Sequence, residues 1–293
     1  MKTSSDSLQR FLFDAAPIRG EFVHLDESWR SVLARHDYPL PLRNLLGELM
    51  ASAVLLAAML KLQQGSLILQ IQGQGPVSLL VVECSGDLQV RATAKWEGEL
   101  VSSKVAELIG DGRFVITLDQ KNGGQMYQGI VALEGETVAE ILQNYMLRSE
   151  QLETRLWLAA DGQQAAGMLL QKLPEQPDGD TDAWNRAVVL AETVRHDELL
   201  SLSVPELLHR LYHEEDIRLF DAQPVVFGCS CSRENVVEML KMIGVDEVDS
   251  VLEEQGSIQV CCEFCNQCYV FEEEDIDEVF ALPTSEFAME IQH

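Results

Sequence analysis

The sequence is short of positive charge. It sets 21 Lys and Arg against 48 Asp and Glu, for a formal net charge of −27 and a pI near 4.4. A surface this acidic repels nucleic-acid phosphates and anionic membranes, so neither is expected as a partner. Long apolar runs are also missing. The richest stretch, residues 45–60, includes Glu48 and falls short of the roughly 20 apolar residues a bilayer requires. It reads as a buried helix. Residues 1–11 are polar, with no apolar core of an export signal. Cysteine is nearly absent from the first two-thirds of the chain, where Cys84 stands alone, and the total of 7 is odd. That excludes a secreted disulfide framework and points to a reducing cytoplasm. There is no Walker loop, nucleophile elbow or dinucleotide fingerprint. Gly73-Gln74-Gly75-Pro76 is too short and Pro-blocked to cradle a phosphate. The chain is not expected to be an enzyme, and it has no internal repeat.

What is present is a globular composition. The 293 residues, 46% hydrophobic and 24% charged, suffice for about two domains and a sizeable core. Residues 43–61 are rich in helix formers. Residues 67–72, 77–84 and 88–94 read as strands separated by turn signals. Residues 113–118 and 126–133 flank Asn122-Gly123-Gly124, a hairpin signal. Thr137 can cap a helix running to about Arg148, and residues 153–158 and 167–173 again read as strands. This predicts an α+β body with a mainly antiparallel sheet and packed helices over residues 1–174. Residues 175–225 follow as a helical connecting segment, with helices at 184–195 and 205–213 and no β signal before Val225-Val226-Phe227. Residues 226–293 form a small terminal domain with an acidic tail. Glu272-Glu273-Glu274-Asp275 fits a solvated helix start. The charge divides unevenly: residues 211–293 hold 20 acidic and 3 basic side chains.

Six cysteines fall in that last piece. Cys229-Ser230-Cys231 and Cys262-Glu263-Phe264-Cys265 are two close thiol pairs that can converge on one tetrahedral Zn²⁺. Four protein ligands make a closed, structural site. The second pair lies between strand-like Ser257-Ile258-Gln259-Val260 and Tyr269-Val270-Phe271, and residues 233–243 read as a helix with an apolar face. Cys262-x-x-Cys265 and Cys265-x-x-Cys268 share one spacing, and spacing alone does not choose between them. Adjacent ligands are geometrically awkward, which makes Cys261 the expected spectator. The plain alternative is a permanent zinc staple with no regulatory role. A zinc-ribbon nucleic-acid module is disfavoured by the charge. A thioredoxin-like site is disfavoured because its C-x-x-C opens a helix. Zinc holds sulfur as thiolate, the form that oxidants attack. A disulfide would take two ligands away, and metal loss would unfold a domain this small.

The sequence resembles the redox-regulated heat-shock holdase chaperone family, also called the 33 kDa chaperonin. The resemblance spans nearly the whole chain. It rests on Phe227-Gly228-Cys229-Ser230-Cys231-Ser232, on Cys262-Glu263-Phe264-Cys265 with Tyr269 and Phe271, and on Gln72-Gly73-Gln74-Gly75-Pro76 and Tyr127-Gln128-Gly129-Ile130-Val131. Tyr145-Met146-Leu147-Arg148-Ser149-Glu150-Gln151 and Ala166-Gly167-Met168-Leu169-Leu170-Gln171-Lys172-Leu173-Pro174 add to it. It implies an ATP-independent holdase that binds unfolding client proteins under oxidative and heat stress. One Zn²⁺ would sit on Cys229, Cys231, Cys262 and Cys265 in the reduced, inactive state. Oxidation would form Cys229–Cys231 and Cys262–Cys265 disulfides, release zinc, unfold the terminal domain and a metastable linker over about 175–227, and yield a homodimer. This chain departs from the family pattern in crowding the second pair with Cys261 and Cys268, as alternative ligands or partners in disulfide exchange. The other reading is an α+β enzyme or binding module with a constitutive structural zinc site. Cys84 reads as a buried small residue, and His209 and His213 as surface residues.

Overall fold

The computed structural model describes residues 6–60, 62, 65–120, 126–174, 180 and 182–281. The chain divides into two compact units, Met1–Gly228 and Cys229–His293. In order, the first carries β1 (Ser7–Phe13), β2 (Ile18–Leu25), α1 (Glu27–Leu33), α2 (Leu40–Leu60), β3 (Gly65–Gly73), β4 (Val77–Ser85), β5 (Gln89–Trp96), α3 (Val105–Ile109), β6 (Gly112–Gln120), β7 (Tyr127–Val131) and α4 (Val138–Arg148). It continues through β8 (Thr154–Ala160), β9 (Ala165–Lys172), α5 (Ala183–Ala191), α6 (His196–Ser201), α7 (Val204–Tyr212), β10 (Ile217–Leu219), β11 (Gln223–Pro224) and β12 (Val226–Phe227).

Two sheets organise this unit. One runs β10-β1-β2-β9-β8, with β11 also on β1; the other runs β12-β5-β4-β3-β6-β7. Among the described residues every pairing in this unit is antiparallel except β12 on β5. The fold is therefore α+β with antiparallel sheets, as the sequence predicts. Helix α2 packs against strands of both sheets. Its buried residues run from Leu42 to Ala58 around most of the helix, because a helix covered on several sides has little use for a polar face. It is the one described helix long and apolar enough to cross a membrane, and here it is a core helix. At Gly47 an added Cβ would come within 2.5 Å of the Ala160 Cβ, so glycine permits the close approach of α2 to β8. Thr137 caps α4 as expected, its hydroxyl accepting from the Glu140 N–H.

Several elements depart from the sequence reading. β1 and β2 carry Arg10, Arg19, Glu21 and His24, which masks their alternation, yet they are inner strands of the first sheet. Two short strands, β10 and β11, lie in the stretch that shows no β signal. They are created by pairing with β1. Asn122-Gly123-Gly124 and the end of the apolar helix at Lys61 lie outside the described residues. The described part of the 175–225 segment belongs to the first unit. There α5, α6 and α7 bury Ala187, Leu199, Leu207 and Leu211 against Phe11, Phe13, Phe22, Met168 and Leu170. Amphipathic helices need an apolar face to cover, and the face of the first sheet away from α2 provides it.

The second unit holds α8 (Arg233–Ile243), α9 (Val245–Gln255), the hairpin β13 (Ile258–Cys261) and β14 (Cys268–Phe271), and α10 (Glu273–Ala281). The α8 bounds match the predicted helix. Helix α9 was not foreseen: Val248 is its one buried residue, too few to print a period. It stops at Gly256, whose φ of 75° is the left-handed conformation that ends helices. The acidic stretch 272–275 does open a helix, α10. Among the described residues the core cluster of this unit is small: Val236, Leu240, Val248, Ile258, Phe271 and Ile276.

Candidate metal centre

Two short loops bring four sulfurs together. The first, Cys229-Ser230-Cys231, leads into α8. Ser232 caps that helix by accepting from the Asn235 N–H, and the Asn235 side chain donates back to the Ser230 carbonyl at 2.9 Å. The loop is thus pinned to the helix start. Arg233 then ties α8 to the hairpin and to α10. It donates to the Val270 carbonyl at 2.8 Å, lies 4.1 Å from the Phe271 ring centroid and pairs with Asp275 at 2.7 Å. The second loop is the turn of the hairpin. The Cys262 N–H donates to the Gln267 carbonyl and the Asn266 N–H to the Cys262 carbonyl, with Asn266 at a φ of 58°.

The sulfur of Cys229 lies 3.6 Å from that of Cys262, and Cys231 lies 3.3 Å from Cys265. All four fall within 4.8 Å of one another, and all four residues are half-buried. A tetrahedral metal with metal–sulfur bonds of about 2.3 Å sets its ligands about 3.8 Å apart. The donor set fits a metal of that kind, and the four cysteines could hold one ion. Burial, aided by the neighbouring thiols, pushes Cys265 up to about 12, and burial also raises Cys262. Four thiols crowded this way ionise together only when a cation offsets their charge. The Tyr269 hydroxyl donates to the Cys231 sulfur at 3.4 Å, an outer contact of the kind that orients ligands. Sequence reasoning gave no role to Tyr269 or Arg233. Strand alternation could have found the tyrosine, since it places Tyr269 on the same hairpin face as buried Phe271.

The remaining candidates fall elsewhere. Cys261 and Cys268 lie opposite one another at the last pair of the β13–β14 ladder and are joined in a disulfide. They are therefore not in the four-sulfur cluster, which contains Cys262 and Cys265. Cys84 is fully buried in β4, its thiol pushed up to about 12 by burial, with Asp87 and Glu83 adding to it. His209 on α7 and His213 at its C-terminal cap are exposed.

Four cysteines closing on one point, in a small unit that follows a larger α+β one, define a protein with a four-cysteine cluster that could hold a metal ion. The sequence profile described as Hsp33 protein matches residues 6–272. The 33 kDa chaperonin of Methylobacillus flagellatus is 56% identical, over 97% of each chain. That of Chromobacterium violaceum is 52% identical, over 98% of each. The crystal structure of the 33 kDa chaperonin (heat shock protein 33 homolog) from Thermotoga maritima shares the fold, with a TM-score of 0.80 at 21% identity over 94% of this chain and 98% of that one. The chain belongs to the Hsp33 family, and this membership supports a chaperone function.

Proposed function

We propose that the protein is a redox-regulated, ATP-independent holdase that binds unfolding proteins and prevents their aggregation under oxidative and heat stress. The observation that carries this reading is the convergence of four half-buried sulfurs from two loops. In the reduced, inactive state Cys229, Cys231, Cys262 and Cys265 hold one Zn²⁺ as thiolates. Two molecules of peroxide, each taking two electrons, convert the four thiolates into the Cys229–Cys231 and Cys262–Cys265 disulfides. This removes every donor and releases the metal. The small core of the second unit cannot stand without it, because structural zinc contributes about 10–16 kcal/mol in finger peptides against about 5–15 kcal/mol for the stability of a whole domain.

Unfolding then spreads to residues 175–227. Helices α5 to α7 cover Phe11, Phe13, Phe22 and Met168, and their departure would offer this apolar face to clients. The activated chain forms a homodimer in the cytoplasm. Its acidity opposes nucleic-acid and membrane partners, and no catalytic step is invoked. The test treats reduced, zinc-loaded protein with peroxide at elevated temperature. Zinc release is followed with a chromogenic chelator, and an aggregating client by light scattering. Both signals should change together. Zinc release without suppression of aggregation would refute the chaperone switch. Activation that survives Cys229→Ser with Cys262→Ser would refute the disulfides as its trigger, leaving a constitutive zinc staple as the reading.

A further inference from the structure

The four-sulfur cluster does not use Cys261 and Cys268. Side chains along a strand alternate between faces. On the β13–β14 hairpin Ile258, Val260, Tyr269 and Phe271 pack with the core of the second unit, and Tyr269 reaches Cys231. Gln259, Cys261, Cys268 and Val270 take the other face, where Gln259, Cys261 and Val270 are exposed. The Gln259 amide lies along this face, 3.5 Å from the Cys261 sulfur. The Cys261–Cys268 disulfide closes the ladder one residue before Cys262, at the base of the turn that carries Cys262 and Cys265. One hairpin therefore bears two separate sulfur systems. One is turned inward to the metal centre and the other outward to solvent.

We propose that Cys261 and Cys268 are a second redox couple, which closes before the metal centre oxidises and holds its knuckle in register with or without the metal. This rests on the metal reading given above. Closure removes two protons and two electrons from the two thiols and forms one S–S bond. Peroxide accepts them by breaking its O–O bond to give two waters; a low-molecular-weight disulfide accepts them by giving two thiols. The order of events follows from linkage. Oxidising the centre forfeits the metal, whose binding stabilises the reduced form by mass action. The outer pair holds no metal, so nothing of that kind opposes its closure. Once closed, it restricts the hairpin in the unfolded ensemble. Less ordering then remains to be done when Cys262 and Cys265 take up the ion.

The test uses the full chain, reduced and loaded with zinc, equilibrated across a series of glutathione redox buffers. Samples are quenched, denatured, alkylated and mapped by mass spectrometry, and zinc is measured in parallel. The expected result is a Cys261–Cys268 cross-link in buffers where zinc is still fully bound and the four centre cysteines are all alkylated. If Cys261 and Cys268 stay alkylatable until zinc leaves, or cross-link to a centre cysteine while it is bound, the proposal is overturned. A reduced chain that takes up no zinc would instead overturn the metal reading. Chelator competition then compares the chain with the outer pair closed and with it selectively reduced, which needs no substitution. The closed form should hold zinc about tenfold more tightly, and the Cys261→Ser/Cys268→Ser variant should match the reduced form. Equal affinity in the two states would refute the register lock.

Discussion

Trp29, Leu46, Leu49 and Phe114 are fully buried in a core that joins both sheets of the first unit through α2. Among the described residues, the second unit has no counterpart to α2. Its core is a few side chains between α8, α9, α10 and one hairpin, and two of its loops meet at four sulfurs. Burial at roughly 25 cal/mol per Å² supports the first unit by itself, whereas a single core as small as the second's supplies little and is commonly reinforced by a metal or disulfide. The two also carry charge differently. In the second unit Asp275 is half-buried, and every other described Asp and Glu is exposed. In the first, Glu21 and Glu48 are pushed up to about 7 by burial. One unit is held by its apolar interior and tolerates buried carboxylates within it; the other gathers four sulfurs beside a small apolar core and keeps its acids in water.

The largest test of this contrast is metal removal. Chelation of the reduced chain should abolish amide protection in α8, α9 and the β13–β14 hairpin while α2 and the inner strands β3 and β4 stay protected, read by hydrogen exchange with mass spectrometry. Protection that persists in α8 and α9 without metal would mean that the second unit stands on its apolar residues. The converse substitution is Leu46→Ala at the centre of α2. It should cost about 2–5 kcal/mol of body stability in urea titration, with zinc retention unchanged. A loss of zinc alongside it would couple the two units energetically and break the comparison.

How much of this was legible in sequence follows the same division. The four-cysteine cluster could be read because its chemistry is local: two short cysteine spacings and the strands flanking one of them. Helix α2 could be read from composition. The charged strands β1 and β2 could not. Arg10 and Glu21 sit at paired positions 3.6 Å apart across the ladder, and that partnership, invisible in one dimension, lets polar residues lie inside a sheet. Strands β10 and β11 exist by virtue of β1, at a sequence distance of about 200 residues. The fate of Cys261 and Cys268 depended on hairpin register. Spacing left Cys268 open as a ligand and set Cys261 aside as the spectator, and the ladder places the two opposite each other on the outer face.

A smaller effect sharpens the electrostatic half of the contrast. Glu48 is raised from 4.5 to about 7 by burial alone. Its folded value exceeds its unfolded one, so the folded state binds the proton more tightly. The stability linked to this group is fully present below about 4.5 and is lost as the pH rises through about 7. Glu48→Gln removes that dependence. The variant should be more stable than the parent at pH 8 by up to about 3 kcal/mol, with the advantage gone at pH 4, measured as urea midpoints at the two values. A gain that is the same at both would assign it to packing, not ionisation.

The smallest effect compares one kind of hydrogen bond in both units. Thr137 caps α4 in the first and Ser232 caps α8 in the second, each hydroxyl accepting from the N–H three residues on at 3.2 Å. Replacing either with alanine should cost about 1 kcal/mol. The cost should surface in different measurements. Thr137→Ala should lower the urea midpoint of the body and leave zinc affinity alone. Ser232→Ala frees the start of the helix that follows Cys231, so part of the zinc binding energy must reorder it, and affinity in chelator competition should fall about fivefold with the body's midpoint unmoved. If Ser232→Ala instead left the affinity intact, α8 would be folded before the metal arrives, and the second unit would resemble the first more than its small core suggests.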